Sequence, residues 1–135
     1  MHDYVLDELP QLIAATLPVS DKRSIFGHSM GGHGALVLAL RNLDRFKSVL
    51  VFSPIGNPSN CPWGQKTFTA YLGKDSAAWA DHDASLLRGN AARGVPALVG
   101  QGEADDFLEE QLKPETLEAA TNAWLSVGAE PPLRL

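Results

Sequence analysis

The sequence has almost no cysteine: Cys61 is the one thiol in 135 residues. No internal disulfide can form, and such usage fits a reducing compartment. Positive charge is also scarce. Eleven Lys and Arg face sixteen Asp and Glu, a net charge of −5, so the clustered cations that bind nucleic-acid phosphates are missing. No apolar run approaches the length that crosses a bilayer, and no membrane partner is expected. The opening Met1-His2-Asp3-Tyr4 has neither a basic stretch nor an apolar one, so no secretory leader is expected. Repeats and low-complexity tracts are absent. What remains is ordinary for a globular protein: 44% hydrophobic and 20% charged residues, enough for one domain.

Strand and helix patterns alternate. Val5, Leu9, Leu12 and Ile13 recur at helical spacing and predict a helix over Asp3–Ala15, with Pro10 bending it or marking a late start. Lys22–Phe26 reads as a strand, Gly27–Gly34 as a glycine-dense turn and Ala35–Arg41 as a buried helix. Phe46–Phe52 is apolar and bounded by Asp44 and Pro54, a second strand. From Ser53 to about Gly73, Pro54, Gly56, Pro58, Pro62 and Gly64 predict a mostly irregular loop, long enough to be functional. Trp63, Phe68, Tyr71 and Trp79 lie in or near it. Val95–Gly100 is a third strand. Pro114–Leu125 is a helix with Leu117, Ala120 and Trp124 on its apolar side, and Pro132–Leu135 begins a further strand. This alternation predicts an α/β fold with a parallel sheet and helices on both faces.

Gly27-His28-Ser29-Met30-Gly31 is G-x-S-x-G between a predicted strand and a predicted helix, the context that a nucleophile elbow of the α/β-hydrolase fold requires. The serine backbone is strained in such a turn. Side chains at Gly27 or Gly31 are expected to collide with nearby backbone. The following helix aims its N-terminus at the reacting centre. Ser29 is therefore the candidate nucleophile, and the backbone N–H of Met30 the candidate oxyanion donor. No Gly-Lys-Ser/Thr follows, which sets aside a phosphate loop.

A serine nucleophile needs a histidine and a carboxylate, in the chain order Ser, acid, His. The acid belongs in a loop after a strand. Glu103, Asp105 and Asp106 all qualify by position. His2, His28, His33 and His82 all precede them. His28, beside Ser29, is expected to point away from the nucleophile, His33 to be packed on the helix, and His82 to be ill placed by chain order.

Several stretches resemble the S-formylglutathione hydrolases, or esterase D family. They are Ser20-Asp21-Lys22-Arg23, Gly27 through Ala35, Asn57-Pro58-Ser59-Asn60-Cys61-Pro62-Trp63-Gly64, Asp83-Ala84-Ser85, and Gln101-Gly102-Glu103-Ala104-Asp105 with Phe107. The resemblance implies a cytoplasmic serine hydrolase without cofactor or metal. Its substrate would be the thioester S-formylglutathione, with small esters also cleaved, and it hints at a homodimer. It makes Ser29 the nucleophile and Asp105 the triad acid, and sets Trp63 beside the acyl pocket. It runs across nearly the whole chain, but over only part of a family member. Neither the family's N-terminal region nor its histidine segment after the acid has a counterpart. The expectation is a partial α/β-hydrolase (esterase D-like) domain over 1–135, with little triad-dependent turnover of its own and an open sheet edge. The alternatives are a non-catalytic binding chain, and another acyl esterase or acyltransferase of the same fold.

Overall fold

The computed structural model describes residues 1–90, 94–125 and 133–134; the side chains of 89, 90, 122–125, 133 and 134 lie outside the described set. A π-helical turn, Tyr4–Glu8, leads into α1, Leu9–Thr16. Pro10 is the second residue of α1, but helical backbone runs unbroken from His2 through Thr16, so Pro10 does not mark a late start; the run departs from α geometry in the π turn just before it. Then follow β1 (Ser24–His28), α2 (Met30–Arg41) and β2 (Ser48–Phe52). A short 3₁₀ turn, Pro58–Asn60, precedes α3 (Pro62–Leu72). A 3₁₀ run over Ser76–His82 precedes α4 (Ala84–Asn90). After β3 (Ala97–Gly100) come a π turn (Leu108–Leu112), α5 (Pro114–Leu125) and β4 (Leu133–Arg134). The predicted apolar position of Trp124, and Pro132 and Leu135 at the ends of the last predicted strand, lie outside the described residues.

The strands form one parallel sheet in the order β1-β2-β3-β4. Phe26 pairs with Leu50 and Leu50 with Leu98; His28 pairs with Phe52 and Phe52 with Gly100. Every step to the next strand goes the same way across the sheet. Parallel crossovers are right-handed, so a one-way order puts their helices on one face. The core shows this. Val49, Val51, Ala97 and Val99 are buried together with Ala35, Leu36 and Ala39 of α2, Ala84 of α4 and Leu117 of α5. Phe26, Phe52 and Leu98 alternate with those strand residues and are exposed, Phe26 by 78%. The parallel sheet is as expected. Helices surround it as expected: α2, α4 and α5 cover one face, and α1 flanks β1, its Leu9 and Ile13 lining a cavity with Ile25 and Phe26.

The expected loop over Ser53–Gly73 is largely helical. Pro62 opens α3, Cys61 caps it through Sγ, which accepts the Gly64 N–H at 3.4 Å, and Gly73 ends it with φ +89°. Proline at the first helical position and glycine just past the last are helix punctuation, which outweighs the loop composition here. Gly64 packs on the 3₁₀ turn so closely that a Cβ there would lie 2.1 Å from the Pro58 oxygen.

Asp83 anchors this segment. It is fully buried, its Oδ1 accepts the N–H groups of Ser85 and Leu86 at the start of α4, and its Oδ2 accepts that of Ser59. Ser85 Oγ donates to the Gly56 carbonyl at 2.7 Å. Among the described residues no helix is long and apolar enough to cross a membrane.

Candidate active site

Ser29 lies between β1 and α2 with φ +53° and ψ −121°. This region is unfavourable for a residue with a Cβ and persists only where the surroundings enforce it. Here they do. The Ser29 N–H donates to the Phe52 carbonyl on β2 at 2.8 Å, and its own carbonyl accepts the His33 N–H at 3.0 Å. The tight approach of strand to helix rests on Gly27, where a Cβ would lie 2.2 Å from the Gly31 oxygen. A Cβ on Gly32 would be 3.2 Å from the Gly27 oxygen, whereas one on Gly31 would meet nothing within 4 Å. The expected collision at Gly31 is therefore absent: Gly31 contributes its carbonyl to the contact, and Gly32 takes the second steric role.

Met30 is the first residue of α2, so its N–H has no partner within the helix. Its side chain is 72% exposed. The macrodipole of α2 adds a positive field at the same end.

Two cavities meet at Ser29. One, of about 260 Å³, is lined by Ser29, Asp105, Trp63, Phe107, Ser53 and His28, with Leu112. The other, of about 320 Å³, includes Ser29, Met30, Trp63, Ile55, Phe68 and His33. All four predicted site residues thus come together. Of the three competing acids, Asp105 alone lines a Ser29 cavity and is half-buried; Glu103 and Asp106 are exposed. Asp105 Oδ1 accepts the Phe107 N–H at 3.0 Å, an Asx-type turn that fixes one carboxylate oxygen. The rings of Phe107 and Trp63 are 4.7 Å apart.

His28 is exposed and is among the residues lining the cavity shared by Ser29 and Asp105. It lies on the same face of β1 as the exposed Phe26, where no described helix covers it. His33 is packed as expected, near the Phe68 ring. His82 lines a separate cavity with His33, Val37 and Tyr71. Sequence reasoning missed the supports of the site, Asp83, Ser85 and Gln111. The first two stood inside a matching stretch, but a single acid or amide ordinarily reads as surface.

Burial is the main cause that lowers the pKa of His33 below its ordinary 6.5; the charge of Asp83 and the His82 backbone oppose it, and the charge of His82 adds to the lowering. The Nε2 of His33 is buried without a hydrogen-bond partner. An unfolded histidine takes a proton below about pH 6.5, and the folded one resists it. The stability that His33 contributes is therefore present above that pH. It is lost as pH falls through 6.5 towards the lowered folded value. The urea midpoint is expected to drop between pH 7.5 and 5.5, and His33→Gln to make the drop smaller. An unchanged drop in that variant would disprove the assignment.

A family model described as "Putative esterase" matches residues 1–125. The chain belongs to this esterase family. Its whole length aligns, at 44% identity and a TM-score of 0.89, with the solved structure of an S-formylglutathione hydrolase from Agrobacterium tumefaciens, covering 47% of that chain. The chain thus spans about half the length of that relative. It also superposes on MPT51 (FbpC1) of Mycobacterium tuberculosis, with TM-score 0.66, 20% identity, and 98% and 57% of the two chains covered. A Pyrococcus horikoshii acylaminoacyl peptidase gives TM-score 0.71 at 14% identity, with 98% and 22% covered. At such identities these two show the fold alone. The chain has an α/β-hydrolase fold.

Proposed function

We propose that this chain carries the nucleophile and the acid of a serine hydrolase that cleaves S-formylglutathione to glutathione and formate. The observation that carries this reading is Ser29, held at φ +53° between strand and helix and sharing one cavity with Asp105 and Trp63. The 44% identity to an S-formylglutathione hydrolase supports the choice of thioester. In this reading Ser29 Oγ attacks the formyl carbon, and the charge on its oxygen is met by the Met30 N–H and the α2 N-terminus. One such donor is worth about 3 kcal/mol in the transition state. The C–S bond breaks, the thiolate takes up a proton as glutathione, and water releases formate from formyl-Ser29. Trp63 walls the acyl pocket. No cofactor enters these steps. The product pair fits formaldehyde detoxification in the cytoplasm.

Covalent capture tests the reading. A fluorophosphonate probe is expected to give one adduct, mapped to Ser29, that Ser29→Ala removes and S-formylglutathione slows. Labelling at another residue, or equal slowing by glutathione alone, would reject the hydrolase or the thioester assignment respectively. No labelling at all would favour a non-catalytic binding chain.

A further inference from the structure

The N-terminus of α3 is capped from far away in the sequence. Pro62 has no N–H to offer, and the Gly64 N–H goes to Cys61 Sγ. The Trp63 N–H, one of the helix's unpaired first donors, goes to the side-chain Oε1 of Gln111 at 3.0 Å. Gln111 is 4% exposed and sits on the π turn Leu108–Leu112, just beyond Asp105. Two further contacts join the same segments. The Phe107 ring lies against Trp63, and the Leu112 carbonyl accepts the Gly56 N–H at 2.7 Å. The segment bearing the acid and the segment bearing the pocket wall are thus one unit, and both face Ser29.

We propose that Gln111 is a positioning residue: its amide oxygen sets the Trp63 wall against the Asp105 loop and so fixes the shape of the cavity at Ser29. The role builds on the hydrolase reading, since shape matters through acylation of Ser29. A displacement of about 1 Å in a supporting group can cost up to 10²-fold in rate. Gln111 acts without touching substrate.

Two variants and one amide test this. Gln111→Met keeps length and removes the acceptor. Gln111→Glu keeps the acceptor, and its charge is tolerated at a helix N-terminus. In a background where Trp63 is the single tryptophan (Trp79→Phe, Trp124→Phe), Gln111→Met is expected to shift Trp63 emission to the red. It should also slow Ser29 acylation by p-nitrophenyl butyrate about tenfold, and acylation by the acetate less, because the longer acyl chain needs the wall. Gln111→Glu is expected to restore emission and both rates. Hydrogen exchange needs no change at Gln111: the Trp63 amide should be protected in the unmodified chain.

Equal loss in the Met and Glu variants, tracking their melting temperatures, would show mere structural support and overturn the proposal. So would native emission and rates in a folded Gln111→Met, or an unprotected Trp63 amide. If the unmodified chain is not acylated at Ser29, the hydrolase reading fails instead. Emission and exchange then still decide whether Gln111 holds Trp63.

Discussion

Imidazole added in solution is expected to accelerate acylation of Ser29 by p-nitrophenyl acetate, and Ser29→Ala to abolish both the acceleration and the adduct. The reasoning starts from the hydroxyl, which is a poor nucleophile until a base accepts its proton. A positioned base contributes about 10²–10⁴-fold. The four histidines stand at 2, 28, 33 and 82, all before Asp105. His33 Nε2 is buried without a partner, and His28 is exposed on the same face of β1 as Phe26. Among the described residues the cavity between Ser29 and Asp105 therefore has the acid and the nucleophile with no base hydrogen-bonded to the serine. A small heteroaromatic base from solution can enter it. It lacks the orientation of a tethered side chain, so an acceleration of about 10- to 100-fold is expected, below what a positioned base gives.

The dependence on concentration is diagnostic. Saturation shows binding in the cavity; a strictly linear rise, equal in Ser29→Ala, shows buffer catalysis and sinks the idea. Asp105→Asn should weaken the acceleration, since the carboxylate orients the ring and stabilises its charged form. His28 supplies the competing outcome. If it already serves as base, imidazole adds nothing and His28→Gln lowers the unassisted rate.

Much of this architecture is legible in the sequence because its signals are local. The apolar stretch ending in Phe52 reads as a strand, and G-x-S-x-G between a strand and the helix over Ala35–Arg41 reads as an elbow. The strands begin about two residues later than the pattern suggests, at Ser24, Ser48 and Ala97, since the apolar runs begin before the ladder does. The missed features are those that depend on partners distant in sequence. Strand order is one: alternation of elements says nothing about which way each crossover steps, and that decided that α2, α4 and α5 share one face. Asp83 is another. A carboxylate is normally surface-exposed; the N–H groups of Ser85 and Leu86 that this one accepts are local, but the third, from Ser59, comes across 24 residues and only the fold supplies it. Gln111 meets Trp63 across 48 residues, beyond any motif. Helix α3 is the exception, a local signal overlooked: Cys61, Pro62 and Gly73 spell its start and stop, and the surrounding prolines and glycines masked it.

The glycines of the elbow give the second large expected effect, because the motif and the structure disagree about them. Gly27→Ala places a methyl 2.2 Å from the Gly31 oxygen and 2.8 Å from the Gly32 nitrogen. Both are backbone atoms, so no side chain can swing aside. Relief requires α2 to move away from β1, and Ser29 moves with it, losing its bond to Phe52. Overpacking in a core costs about 1–3 kcal/mol and occasionally more. The upper end is expected here, as a drop of several degrees in melting temperature, together with a fall of about 10²-fold in Ser29 labelling from lost geometry. Gly31→Ala should behave differently. Its Cβ meets open space and its φ is not in the left-handed region. Alanine in a helix is favoured over glycine by up to about 1 kcal/mol, so stability should hold or rise slightly. Thermal melts and labelling rates of the two variants, measured side by side, check this. Equal losses at both positions would mean that the strand–helix contact is not governed by the approach of the Gly31 carbonyl to Gly27, and the steric account of the elbow would have to be abandoned.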